Sequence, residues 1–183
     1  MARALILVEG ISDRVALEAL AERRRRDLDA EGVSIVPIGG AQAIGRFLES
    51  AGDVRLAGLC DAGEEDEFRR ALERAGLGEG LTRAQMECLG FFVCDADLED
   101  ELIRSLGPGA VQQVIAAQGE LASFRTLQKQ REWRGRPTEA QLRRFMGSGG
   151  SRKIRYARLL VEALDLARVP RPLHGVLAYV GRT

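Results

Sequence analysis

Apolar positions along the chain fall into four short runs, each followed by a stretch with helical spacing. The first run is Ala4-Leu5-Ile6-Leu7-Val8. It is too short to cross a membrane and reads as a buried strand. Glu9 and Gly10 follow it, and Ser12 is the expected N-cap of a helix over about residues 12–30. The second strand is expected at 33–38, with Pro37 favouring its end. Gly39-Gly40 makes a turn before a helix at 41–50. The third strand, 55–60, ends at Asp61. An amphipathic helix over 64–75 follows, with Phe68, Leu72 and Ala75 on one stripe and Gly76 as its stop. The fourth strand, 90–94, ends at Asp95. The helix after it, 98–106, is broken by Pro108-Gly109.

Beyond residue 107 the strand signals fade. Helices are expected at 110–117, 121–131 and 139–145. After the loop Gly147-Ser148-Gly149-Gly150, Ser151 is the expected cap of a helix at 152–167. A closing helix carries Leu173, Val176, Leu177 and Val180. Four β-α units in about a hundred residues imply a parallel sheet with right-handed crossovers, so all strand ends share one edge. The expected fold class is α/β: a Rossmann-like, four-stranded parallel sheet flanked by helices, with a helical C-terminal part. The expected division is 1–107 for the α/β core and 108–183 for a helical extension packed on the same domain.

The C-terminal edge of such a sheet is where open α/β folds bind ligands. Three of the four strands finish there in an acid: Glu9, Asp61 and Asp95. Asp13 lies in the first turn of the first helix. It either complements the helix dipole or points back toward Glu9. Asp97 and Glu99 begin the helix after the fourth strand, and on dipole grounds alone they suit a helix start. Together Glu9, Asp13, Asp61, Asp95, Asp97 and Glu99 would repel one another strongly unless cations lay between them. Oxygen ligands without histidine or cysteine favour Mg²⁺ or Mn²⁺, and a pair of such ions suits phosphodiester hydrolysis.

Composition narrows the field. The chain has 183 residues, of which 45% are hydrophobic and 30% charged, ordinary for a globular domain. The one histidine, His174, argues against histidine-built zinc sites and His-assisted nucleophiles. The three cysteines have no C-x-x-C spacing, which suggests reduced thiols. No signal-peptide pattern or membrane span is read, so a cytoplasmic location is expected.

Net charge is zero, but residues 1–101 carry 12 basic against 22 acidic side chains, and residues 102–183 carry 15 against 5. An acidic half suits metal and a basic half suits phosphate. Lys153 follows the glycine loop in a first helical turn, where free N–H groups and a lysine favour an anion, although an exposed surface lysine fits the spacing equally. Arg125, Lys129, Arg131, Arg134, Arg136, Arg143 and Arg144, with Trp133 among them, read either as a track for a nucleic-acid backbone or as a solvated face.

These residues resemble a Toprim domain, the metal-binding fold of topoisomerases, primases and several nucleases. The chain is most similar to the C-terminal Toprim domain of OLD-family (overcoming lysogenization defect) nucleases, over nearly its whole length. Leu7-Val8-Glu9-Gly10, with Asp13, resembles the first acidic motif. Ile38-Gly39-Gly40 resembles the loop after the second strand. Asp61 resembles the first acid of the D-x-D, Asp97-Leu98-Glu99 the D-L-E segment, and Lys153 the basic residue that follows. The resemblance implies a Mg²⁺- or Mn²⁺-dependent nuclease with Glu9, Asp61 and Lys153 catalytic and Glu9, Asp13, Asp61, Asp97 and Glu99 holding two ions. It implies a nucleic-acid substrate, DNA ahead of RNA, and any ATP coupling supplied by a separate ATPase chain. The second D-x-D acid is replaced by Gly63, which puts one ion in question. Glu64, Glu65 or Asp66 could substitute through water. Two other readings follow from the same features: nucleotidyl transfer on the same site, and a catalytically impaired module that binds nucleic acid or protein.

Overall fold

The computed structural model describes residues 3–181. Its centre is a four-stranded sheet of β1 (Ala4–Val8), β2 (Val33–Pro37), β3 (Arg55–Cys60) and β4 (Phe91–Val93), all parallel, in the order β2-β1-β3-β4. Side chains alternate between the two faces because a strand has a period of two. Ile6, Val8, Ala57, Leu59 and Phe92 face one hydrophobic core, and Leu7, Cys60, Phe91 and Val93 face the other. Strands covered on both faces read as near-continuous apolar runs, as these do apart from exposed Ser34 and Arg55.

One face is covered by α1 (Ile11–Arg23) and α10 (Arg171–Val180), and α5 (Leu98–Leu106), α6 (Pro108–Ala117), α7 (Leu121–Lys129), α8 (Thr138–Met146) and α9 (Gly150–Ala163) extend the same core outward, with α9 packed on α1. The other face is covered by α2 (Ile44–Ser50), α3 (Glu65–Arg74) and α4 (Arg83–Cys88). Buried residues on both sides of position 107 belong to one core. Among the described residues no helix is long and apolar enough to cross a membrane.

Several element ends differ from the sequence expectation, each for a physical reason. Helix α1 starts earlier, with Gly10 as N-cap. Its amide donates to the Asp13 carboxylate at 2.9 Å, and Ser12 is buried in the first turn. It also stops at Arg23 rather than near Ala30, since Arg25 takes a left-handed φ of 57°. Helix α9 starts at Gly150 behind Gly149, whose φ is 92°, so Ser151 is not the cap. It ends at Ala163, before the expected Ala167. The Arg23 guanidinium takes the carbonyls of Val161 at 2.8 Å and Leu164 at 2.5 Å, tying the end of α1 to the end of α9. A cation on the last carbonyls of a helix is favourable for hydrogen bonding and dipole alike. Helix α4 was not expected, yet Thr82 caps it and exchanges bonds with Gln85, a legible T-x-x-Q signature.

Close packing of α10 on the sheet requires a glycine. A Cβ on Gly175 would overlap the Phe92 ring, and one on Gly58 would come within 2.6 Å of Phe91. Gly175→Ala is therefore expected to destabilise the fold by about 1–3 kcal/mol through overpacking, read as a lower urea midpoint.

Candidate functional site

The sheet order sets the site. Strand β1 sends its chain to α1 on one face, whereas β3 sends its chain to α3 and α4 on the other. The two connections part at the C-terminal ends of β1 and β3 and leave a crevice, the switch point of an open α/β sheet. Glu9 and Asp61 follow these two strands and flank that crevice. The Asp61 amide donates to Glu9 Oε1 at 2.8 Å, which locks the two ends together.

The acids there are held above their ordinary ionisation range. Burial pushes Asp61 up to about 8, with further repulsion from Glu9, Asp13 and Asp97. Burial raises Glu9 as well, helped by the charges of Asp13 and Glu64 and opposed by the Asp61 amide. Asp13, only 9% exposed, is raised by burial and by Asp97 against the pull of its bond from Gly10. Lys153 is the counter-charge common to Glu9, Asp13, Asp61 and Glu99. Burial alone would lower the Lys153 ammonium, but Glu99, Asp13 and Asp61 outweigh it and raise it.

The remaining acids divide. Glu99 is buried, and burial raises its carboxyl. Its Oε1 is buried without a hydrogen bond, and the Lys153 Nζ stands 3.4 Å away as an ion-pair partner. Asp97 is engaged at both oxygens: Oδ1 caps α5 through the Asp100 amide at 2.8 Å, and Oδ2 accepts the Arg143 fork at 2.6 and 2.5 Å. Asp95 points out of the group. It is exposed and pairs with Arg104 at 3.1 Å and Arg83 at 3.5 Å. The alternation of acids after β4 hid this split, and the role of Arg143 had no sequence signal beyond its membership of a basic run. Gly63 sits in a 3-10 turn (Ala62–Glu64), and a Cβ there would meet nothing within 4 Å, so the missing D-x-D acid leaves open space. Cys60 and Cys94 are buried, and burial raises both thiols, which makes them packing residues rather than nucleophiles.

Among the described residues no three carboxylate, thiol or imidazole groups already stand in metal-ligating arrangement. The donor chemistry nonetheless fits a hard divalent cation: the donors are carboxylate oxygens, mutually repelling, with one buried oxygen lacking a hydrogen bond.

The chain has a Toprim-like α/β fold. It superposes on the C-terminal region of the Burkholderia pseudomallei OLD protein with a TM-score of 0.71 at 21% identity, covering 98% of this chain and 97% of that one. The C-terminal region of the Xanthomonas campestris pv. campestris OLD protein matches at 0.76 and 23%, covering 98% and 92%. Residues 1–60 match the family model for the TOPRIM domain of overcoming lysogenization defect protein-like proteins, the family that the acidic motifs resemble. No curated protein matches the chain.

The raised Asp61 has a measurable consequence. Its ordinary value is 3.8. A carboxyl held higher in the folded state stabilises the fold fully below the unfolded value, and that contribution is lost as pH rises through the folded one. In chelator, the Asp61 contribution is therefore expected to fade from 3.8 to about 8. Asp61→Asn should melt above wild type at pH 8 and converge with it near pH 4, checked by calorimetric scans across that range.

Proposed function

We propose that this chain is a metal-dependent nuclease that cleaves nucleic-acid phosphodiester bonds at the Glu9–Asp61 crevice. The observation that carries the reading is the pair itself: two carboxyl groups at the switch point, fixed by the 2.8 Å bond from the Asp61 amide to Glu9 and raised by burial and by neighbouring acids, with Lys153 as shared counter-charge. Glu9, Asp13, Asp61 and Glu99 would hold Mg²⁺ or Mn²⁺. Asp97 contributes its charge while holding α5 and Arg143 in position. Such ions, when bound, activate water at neutral pH and stabilise the leaving oxygen. Lys153 presents a cation beside the acids and would meet the charge that develops on a phosphate. Arg144 and Arg136, which line the same groove, extend the positive surface on which a backbone would lie. Residues 1–107 would supply the acids and 108–183 the phosphate contacts, with any ATP coupling left to a separate ATPase chain. The OLD proteins whose C-terminal regions share the fold support this assignment at the level of fold.

A second reading is favoured by Gly63. With one D-x-D acid absent and no preassembled metal site among the described residues, the chain would bind nucleic acid or a protein without cleaving. The two readings separate in a plasmid and RNA cleavage assay with Mg²⁺ or Mn²⁺ and Glu9→Ala as control. No cleavage of either substrate would sink the enzyme reading.

Mg²⁺ or Mn²⁺ is expected to raise the melting temperature of wild type, because it relieves repulsion in the folded state only. The Glu9→Ala/Asp61→Ala variant should show no such rise, and equal metal affinity by calorimetry in both would exclude this site. Lys153→Ala should lower turnover by roughly 10²–10³-fold, as loss of a transition-state charge contact does, and should also lower the melting temperature in chelator, because it strips the shared counter-charge from Glu99 and Asp61. Gly63→Asp, which has room for its side chain, should increase metal affinity.

A further inference from the structure

Between α7 and α8 the chain forms a loop, residues 130–137, that carries the single tryptophan of the sequence. The loop is firmly held. The Trp133 amide donates to the Gln130 carbonyl at 3.0 Å, and the Trp133 carbonyl accepts from Gln141 Nε2 at 2.8 Å. Gln141 is buried and takes a further bond from Gln128 at 2.8 Å. The indole itself is half-buried. The Arg136 guanidinium stands 5.1 Å from its ring centroid, anchored by a 2.7 Å bond to the Glu132 carbonyl.

This pair lines a groove of about 400 Å³. The same groove is lined by Asp97, Glu99 and Lys153 of the functional site and by Arg143 and Arg144. The charges of the segment are unbalanced. Of the seven Lys and Arg residues from Arg125 to Arg144, Arg143 is the one with a carboxylate partner among the described residues. Elsewhere in the fold, Arg69, Arg83, Arg104, Arg152, Arg155 and Arg158 are paired with acids. A basic surface left without internal counter-ions, beside an aromatic–guanidinium stack, matches a strand whose phosphates supply the charge and whose bases supply the planes.

We propose that the Trp133–Arg136 platform stacks an unpaired nucleobase, so that the substrate is single-stranded nucleic acid or a single-stranded end or flap. This deepens the nuclease reading and rests on it. A base within a duplex offers only its edges, and its faces are already stacked on neighbours. Away from a duplex end, only an unpaired base can lie on an indole or a guanidinium plane. A nucleotide seated on the platform would direct its backbone along Arg144 toward Lys153, because those residues line the same groove.

Trp133 reports on this directly, since no other tryptophan contributes fluorescence. The full chain, with Mg²⁺, is titrated with a fluorescein-labelled phosphorothioate oligothymidine, and separately with a blunt phosphorothioate duplex of the same length. Both tryptophan emission and label anisotropy are read. The single strand is expected to quench Trp133, and the duplex to leave it nearly unchanged. Trp133→Ala should weaken single-strand affinity about tenfold, the scale of one lost base stack, and leave duplex affinity as it was. Trp133→Phe should retain most of the single-strand affinity, which a general folding defect would not allow. Equal quenching by both ligands, or a Trp133→Ala effect that is absent or identical for both, overturns the platform while leaving the nuclease reading intact. Absence of any anisotropy change with either ligand overturns both.

Discussion

Strands β1 and β3 run side by side, yet the chain leaves them toward opposite faces of the sheet. No helix can fill the gap that this divergence opens at their C-terminal ends, so the polypeptide closes it with a side chain: Glu9 reaches across to the Asp61 amide. The bond satisfies a backbone donor at a strand end and fixes the spacing of the two acids. It also brings two carboxyl groups into a half-buried position where burial raises both and the charge of Glu9 raises Asp61 further. Desolvation and like charge act in the same direction there. The crevice is a place where the fold stores electrostatic repulsion, and a cation or a proton relieves it.

The second half of the chain answers that repulsion. Helix α9 packs along α1 and is secured to it by Arg23, which takes carbonyls of Val161 and Leu164. That docking delivers Lys153, in the first turn of α9, to the acids of α1, β3 and α5. Arg143 of α8 approaches Asp97 in the same way. The helical part and the sheet share one hydrophobic core, so the burial that stabilises the fold is the same packing that places the counter-charges.

Arg143 and Arg136 lie in the same basic run but do different things. Arg143 is consumed by Asp97, whereas Arg136 lies over Trp133 with no acid partner among the described residues. A pairing within the fold removes a cation from ligand binding, and the lack of one leaves it for an external anion. The groove between Trp133 and Lys153 collects such cations beside the carboxylates.

Much of this was legible in the chain. Apolar runs marked all four strands, interrupted only by exposed Ser34 in β2 and Arg55 at the start of β3, because a strand covered on both faces needs mostly apolar side chains. The acids Glu9 and Asp61 were legible as strand ends, and a parallel sheet puts strand ends on one edge. Asp97 and Asp95 were not separable, since the bend at 95–96, which turns one toward the site and leaves the other to Arg104 and Arg83, has no mark in the residue pattern. The helix end at Ala163 escaped for a related reason: a guanidinium 138 residues away in sequence from its carbonyl acceptor decides where α9 stops. Sequence periodicity reports local preference and the sorting of apolar from polar positions. Partner choice among charges depends on which elements pack together, and only the tertiary structure determines that.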